Sequence, residues 1–395
     1  MMPDITVLAA TGNLMVSEAF RQARPDVIAA YPITPQTAIV ETYSKYVADG
    51  RVHTEYVNVE SEHSSLSACI GASAAGARVA TATSSQGLAL MWEELHIASG
   101  MRLPIVMANA NRALSAPINI HGDHSDVMGA RDSGWIIFIA ETAQETYDNT
   151  LISFRVAEHP AVQLPVMTTL DGFITTHAME RCELLDDETV KAYVGDRIPQ
   201  NPLINGDKPV NHGMFASLGG AYFKVKRAER AAIDACSPYI KQLGDEWANI
   251  CGRPFDFVDA YACDDADYIM VVLGSAAGNV RTVARELRAA GIKVGVLRIR
   301  VYRPFPFVEV REALKNAKAI GIMDRADSFG SQYGPAGLDV RAALYDLPAR
   351  IPTRNYIYGL GGADITLASI KQAFDEVQQL ATGSLDEGLY YLGTR

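Results

Sequence analysis

An α/β protein with more than one parallel-sheet unit is what this sequence predicts, and three observations predict it. Strand-like and helix-like stretches alternate in quick succession from Ile5 to Pro165, the strands among them are continuous apolar runs, and the alternation resumes near Asp267. Continuous apolar strands imply a parallel sheet covered on both faces, with any ligand site at the carboxyl edge of the strands. A length of 395 residues and 48% apolar content provide for two to three domains and more than one core.

In chain order, the apolar run Ile5 to Ala10 is followed by a helix from Asn13 to Arg21, a strand from Asp26 to Ala30 and a helix from Thr37 to Val47 that ends at Asp49-Gly50. Thr54 to Val59 alternates and is rich in β-branched residues, which predicts a strand. Ser61 offers a hydroxyl cap, so a helix is expected to begin near Glu62. A strand from Arg78 to Thr83, a helix from Leu88 to Gly100, and strands from Pro104 to Ala108 and Val162 to Thr169 complete this unit, which closes on the turn Asp171-Gly172-Phe173.

Between Arg181 and Pro209 the pattern dissolves into a polar, proline-punctuated arm. Ile233, Cys236, Ile240, Leu243, Trp247 and Ile250 then form one apolar helical stripe, with Pro238 marking a kink or a start. In the second unit, Tyr268 to Leu273 and Lys293 to Ile299 read as strands around a helix from Val280 to Ala290, with Val280, Val283, Ala284 and Leu287 inward. Tyr302-Arg303-Pro304-Phe305-Pro306 breaks the chain before a further strand, Ala319 to Met323.

Composition removes several classes of function. A formal charge of −11 without a basic stripe argues against nucleic acid, and no uncharged apolar run is long enough to span a bilayer. No basic segment precedes Ile5, so a cytoplasmic protein is expected. Five scattered cysteines without a C-x-x-C pair encode neither a disulfide framework nor a metal cluster. His121 and His124 lie near Asp123 and Asp126, but no regular element fixes their spacing, so no metal site is assigned.

The loops after the strands have a definite chemical character. Glu62 is a carboxylate in the first turn of a helix at a strand's carboxyl end, where dipole complementation is its plain structural use and ligand chemistry its sharper one. Tyr31-Pro32-Ile33-Thr34-Pro35 presents Thr34 from a turn stiffened by two prolines. Ser85 and Gln86 stand at a helix start, where they serve either as caps or as ligands of an anionic or heteroaromatic group. Arg112 ends a strand with a guanidinium able to grip a carboxylate, or to form a surface ion pair.

Tyr31-Pro32-Ile33-Thr34-Pro35, Glu60-Ser61-Glu62-His63, Ser85-Gln86-Gly87-Leu88, Asp171-Gly172-Phe173, Tyr302-Arg303-Pro304-Phe305-Pro306 and Asp324-Arg325 together resemble the alpha subunit of the 2-oxoacid:ferredoxin oxidoreductases of the pyruvate type. The resemblance implies a pyrimidine-binding thiamine diphosphate domain over residues 1–180, connecting segments over 181–255, and a transketolase C-terminal-like domain over 256–395. It implies a beta subunit that holds the diphosphate and Mg²⁺, further subunits that carry [4Fe-4S] clusters, and ferredoxin as electron acceptor.

By the same resemblance, Glu62 faces N1′ of the cofactor's aminopyrimidine, where proton sharing favours the imino tautomer that activates the thiazolium. Tyr31, Ser85 and Gln86 are implied as further cofactor contacts, and Thr34 and Arg112 as the groups that hold a small carboxylate substrate. The family often has an aromatic residue and an amide where this chain has His121 and Gly122, and Gln where it has Ser125. That more polar loop points to oxalate as substrate, with pyruvate and coenzyme A as the alternative and a non-catalytic assembly subunit as a second one.

Overall fold

The computed structural model describes residues 4–393, which form three β-sheets flanked by helices. A seven-stranded sheet holds β2 (Val27–Ala30), β3 (Glu55–Asn58), β4 (Val79–Thr83), β5 (Val106–Asn111), β6 (Ile136–Ile139), β7 (Val166–Asp171) and β12 (Val301–Arg303), in the order β12-β6-β7-β5-β4-β2-β3. All of its neighbours run parallel except β12, which is antiparallel to β6. A six-stranded sheet, in the order β15-β14-β13-β10-β11-β9, is built from β9 (Val258–Tyr261), β10 (Tyr268–Leu273), β11 (Val294–Ile299), β13 (Ala319–Asp324), β14 (Thr353–Ile357) and β15 (Gly388–Tyr391). Only β9 is antiparallel there. The α/β class with parallel sheets is therefore as the sequence predicts.

The central strands of both sheets are buried along their whole length, which is why they read as unbroken apolar runs rather than alternating ones. The stripe Cys236, Ile240, Leu243 and Trp247 is used as core. Cys236 caps the helix Ser237–Cys251 that carries the other three, Pro238 sits in its first turn rather than kinking it, and Trp247 Nε1 donates to Asp148 Oδ1 at 2.9 Å.

Three features depart from the sequence reading. First, β1 (Ile5–Ala10) does not enter the parallel sheet but pairs antiparallel with β8 (Glu180–Leu185), a partner too distant in sequence to be read from local pattern. The supposed irregular arm thus contains β8 and the helix Asp187–Val194, whose cap, Asp186 accepting from Thr189 N at 2.8 Å, lay in the acidic run Asp186-Asp187-Glu188. Second, the expected helix Leu88 to Gly100 is two helices, Ser85–Leu90 and Trp92–Gly100, joined at Met91. Third, Tyr302 and Arg303 do more than break the chain, because β12 returns to the first sheet and closes its edge.

Two buried polar clusters bind the sheets' units together. Arg298, at the end of β11, makes a bidentate pair with Glu145 (2.7 and 3.0 Å), and Arg300 donates twice to Asn149 Oδ1. Burial alone would push the Glu145 carboxyl up, but the charges of Arg298 and Arg300 outweigh it and hold the group at about 2. The second cluster centres on Asp171, at the end of β7. Its Oδ1 lies 2.6 Å from His124 Nε2, and its Oδ2 accepts from Ser275 N and Oγ (2.9 and 2.5 Å) and Arg325 Nη1 (3.2 Å).

Candidate active site

The polar loops after β2, β3, β4 and β5 converge on the carboxyl edge of the seven-stranded sheet, because parallel neighbours deliver their carboxyl ends to one side. Glu62 is the first residue of the helix Glu62–Ala75, capped by Ser61 Oγ accepting from Ser64 N at 3.2 Å. Ser65 Oγ donates to Ala29 O at 2.6 Å, which pins this helix start onto β2. The Glu62 side chain is 7% exposed, with no lysine or arginine within 4 Å among the described residues.

Gly87 explains how the carboxylate is approached. A Cβ placed on Gly87 would lie 2.8 Å from Glu62 Oε1 and 2.6 Å from Thr83 Oγ1, so only glycine lets the helix start Ser85–Leu90 pass so close. Beside it, Thr83 Oγ1 and Ser84 Oγ are buried and without a partner among the described residues. The carboxylate thus lies against the Gly87 backbone beside two spare hydroxyls, which together make a donor and acceptor set that a nitrogen heterocycle can use.

Arg112 stands one residue beyond β5. Its guanidinium donates to Thr34 O at 2.8 Å, to Gln86 Oε1 at 3.1 Å and to Asn119 O at 3.2 Å. All three acceptors are neutral, and no carboxylate lies within 4 Å of the guanidinium among the described residues. Five N–H donors against three acceptors leave two for a ligand. Burial lowers the Arg112 guanidinium from its ordinary value, and the more distant charges of Asp126 and Glu62 offset part of that.

Asp126 organises these loops. Its carboxylate, wholly buried, accepts from Ser85 N (3.0 Å), Arg112 N (3.1 Å), Asn109 Nδ2 (3.1 Å), Asn111 Nδ2 (3.1 Å) and its neighbour Val127 N (2.7 Å). Burial pushes the group up to about 6, against the pull of the donors. Ser85 takes a left-handed backbone, φ 50°, and its hydroxyl lies 2.6 Å from both Ala113 O and Gln86 Oε1, able to donate to one at a time. Gln36, completely buried, joins the β2 loop to β4 by accepting from Ile33 N and donating to Ala82 O.

Of the residues singled out in the sequence, Glu62, Thr34, Ser85, Gln86 and Arg112 share this edge. Thr34 meets Arg112 through its carbonyl, with its side chain at the exposed surface, and Tyr31 is likewise exposed. His121 and Gly122 follow on the adjoining loop, where His121 O accepts from Ala113 N, beside Arg112, at 3.0 Å. His121 tilts against Phe173 with ring centroids 5.0 Å apart and lines a cleft of about 320 Å³ between the two large sheets' units, together with Arg325 and Tyr358. Gly122 packs on the backbone of Gly172, whose carbonyl would be 2.6 Å from an added Cβ.

The loop that bears His121 is held from the second unit: Asn119 Nδ2 donates to Gly361 O at 3.0 Å and Gly361 N to Asp123 Oδ2 at 2.9 Å. Through Asn119 O, that staple reaches Arg112. Sequence reasoning missed Asp126, Gln36 and Asn119. Asp126 alone carried a signal, as the first-turn acid of the short helix Ser125–Ala130, and that signal says nothing of its five donors.

Residues 18–245 match the family described as pyruvate flavodoxin/ferredoxin oxidoreductase, thiamine diP-bdg, and residues 266–370 match pyruvate:ferredoxin oxidoreductase core domain II. The chain is 49% identical over 369 residues to pyruvate synthase subunit PorA of Thermotoga maritima, covering 93% of this chain and 94% of that one. It is 44% identical over 371 residues to the protein of the same name from Methanocaldococcus jannaschii, at 93% and 94% coverage. Ketoisovalerate oxidoreductase subunit VorA of Pyrococcus abyssi is 41% identical over 379 residues, 95% of each chain. A solved 2-oxoglutarate:ferredoxin oxidoreductase from Magnetococcus marinus shares the fold, with TM-score 0.71 and 19% identity over 95% of this chain and 65% of that longer one.

Proposed function

This chain belongs to the pyruvate flavodoxin/ferredoxin oxidoreductase family as the alpha subunit of a thiamine diphosphate-dependent 2-oxoacid:ferredoxin oxidoreductase, and from that premise we propose that its substrate is pyruvate, oxidatively decarboxylated with coenzyme A as acyl acceptor. The relatives' names support pyruvate over the oxalate expected from His121, Gly122 and Ser125. The His121 ring adds support, since it tilts against Phe173 in the inter-unit cleft and its Nδ1 lies 3.3 Å from Asn119 Oδ1 rather than pointing at the Arg112 guanidinium.

The observation that carries the reading is the Arg112 guanidinium, buried, held by neutral acceptors and left with spare donors. A buried cation without a counter-charge is costly, and a bound substrate carboxylate accepting from the spare N–H groups offsets that cost. Thr34, Gln86 and Asn119 fix its orientation. Glu62, its carboxylate held against the backbone of Gly87, would hold a proton at the aminopyrimidine nitrogen of the cofactor. Thiamine diphosphate, once bound, supplies the nucleophilic carbon that attacks the 2-oxo group.

A beta subunit to hold the diphosphate and Mg²⁺, iron-sulfur clusters on partner subunits, and ferredoxin as acceptor complete the proposed enzyme. The five cysteines of this chain are all buried and scattered, which suits clusters placed elsewhere. Among the described residues no helix is long and apolar enough to cross a membrane. Reduction of ferredoxin or viologen by the purified complex tests the substrate. Turnover is expected with pyruvate plus coenzyme A and not with oxalate; oxalate-dependent, coenzyme A-independent reduction would reverse the assignment.

A further inference from the structure

The opposite, amino edge of the seven-stranded sheet has its own polar cavity, of about 350 Å³, between the segments that lead into β4, β5 and β7 and the connecting arm around residues 197–212. It is lined by Arg102, Arg197, His212, Gln163, Gln200 and Asn201, and by no aspartate or glutamate. In a chain of formal charge −11, that is an unusual concentration of positive charge.

Among the described residues neither arginine has a carboxylate within 4 Å. Arg197 has both Nε and Nη1 buried without a hydrogen-bond partner, and among the described residues it is the only side chain with two such atoms. Of the two carboxylates whose charge reaches it, Glu158 is already held by Arg78 in a bidentate pair at 2.8 and 2.8 Å, and Asp26 accepts from Arg78 N at 2.7 Å. Arg102 donates Nε to Gln163 O at 2.9 Å and Nη2 to Val162 O, both neutral carbonyls. His212 Nε2 lies 3.0 Å from Asn201 O, which folds the arm on itself, and Leu203 N donates to Ala74 O at 2.8 Å, which ties the arm down beside the cavity.

We propose that this cavity is a binding site for a compact oxyanion of the phosphate type, free phosphate or a small phosphate monoester, gripped by Arg197 and Arg102 and roofed by the arm at Gln200, Asn201 and His212. Two guanidinium groups without a close ion-pair partner match the geometry and charge of such an anion, and the volume leaves room for a small organic group attached to it. The site is on the far edge of the sheet from Glu62 and Arg112, so its occupancy acts on how firmly the arm is held rather than on the chemistry.

The test uses the full chain and the purified complex, titrated with inorganic phosphate at constant ionic strength, with acetate and succinate as carboxylate arms, read by calorimetry and thermal unfolding. Phosphate is expected to bind saturably and to raise the unfolding temperature by about 2 to 4 °C near saturation. Arg197→Gln should abolish that rise, lose at least tenfold in affinity and leave turnover unchanged. In phosphate-free buffer the variant should unfold no lower than the parent chain, because an unpaired charge has been removed. Equal responses of parent and variant, equal binding of carboxylates, or no saturable binding in the complex would each overturn the proposal.

Discussion

Two aspartates at the same sheet edge, both wholly buried, are held in opposite ways. Asp126 meets only neutral donors, three backbone N–H groups and two asparagine amides, and burial pushes it up to about 6. Asp171 is just as buried, yet His124, Arg325 and Ser275 overcome that burial and hold it well below the usual carboxylate range. The difference separates two tasks. Asp126 gathers the loops of one unit into a platform, for which neutral donors suffice; Asp171 ties two units together, and there a charged partner is what keeps the buried anion ionised.

Breaking the seam should have the largest effect on stability. Asp171→Ala strands the buried Arg325 guanidinium, and a loss of about 3 to 5 kcal/mol is expected in chemical denaturation. Asp126→Ala should cost about 2 to 4 kcal/mol by leaving several buried donors unpaired, with turnover falling further than stability because Ser85 and Arg112 lose their common anchor. The two residues also carry opposite pH signs. The raised Asp126 contributes stability that is full below its unfolded value of 3.8 and lost as pH rises through about 6. Asp171, being lowered, contributes stability that is present above the ordinary value and lost as pH falls through its depressed one.

Asp126→Asn sharpens that contrast. As pH rises from 4 to 7.5 the variant should gain on the parent chain by up to about 3 kcal/mol, whereas the deficit of Asp171→Asn should shrink as pH falls into the acid range. The smallest effect is expected at Asn119, which links the second unit's Gly361 to Arg112. Asn119→Ala keeps the carbonyl that Arg112 uses but removes the side-chain bonds to Gly361 O and from His121 N, and the loosened loop should raise KM for the 2-oxoacid about three- to tenfold, a shift of about 1 kcal/mol, with kcat nearly unchanged.

How much of this was legible depends on distance along the chain. Glu62 was readable because a β-branched strand, a serine cap and a small-residue helix follow one another within twenty residues, and the helix does begin at Glu62. Arg112 was readable as the charged end of a strand. Asp126 was not, since its donors come from the loop after β4 and the end of β5, and only the packed sheet brings them to one carboxylate. The pairings of β1 with β8 and β12 with β6 span more than 150 residues each, so neither could be read from local pattern. His121 drew attention as a titratable residue near the expected substrate loop; its carbonyl does pair with Ala113 N beside Arg112, while its ring packs by Gly362 and Phe173 at the seam, a contact no local pattern shows.

The placement of Glu62 against Gly87 is the geometry on which the proposed chemistry turns, and Glu62→Gln in the assembled complex tests it most directly. Pyruvate-dependent ferredoxin reduction should fall by about 10² to 10⁴ while subunit composition and unfolding temperature stay those of the parent complex. Turnover within a fewfold of the parent would contradict the account, because a side chain that cannot hold the proton would then be doing the work assigned to one that can.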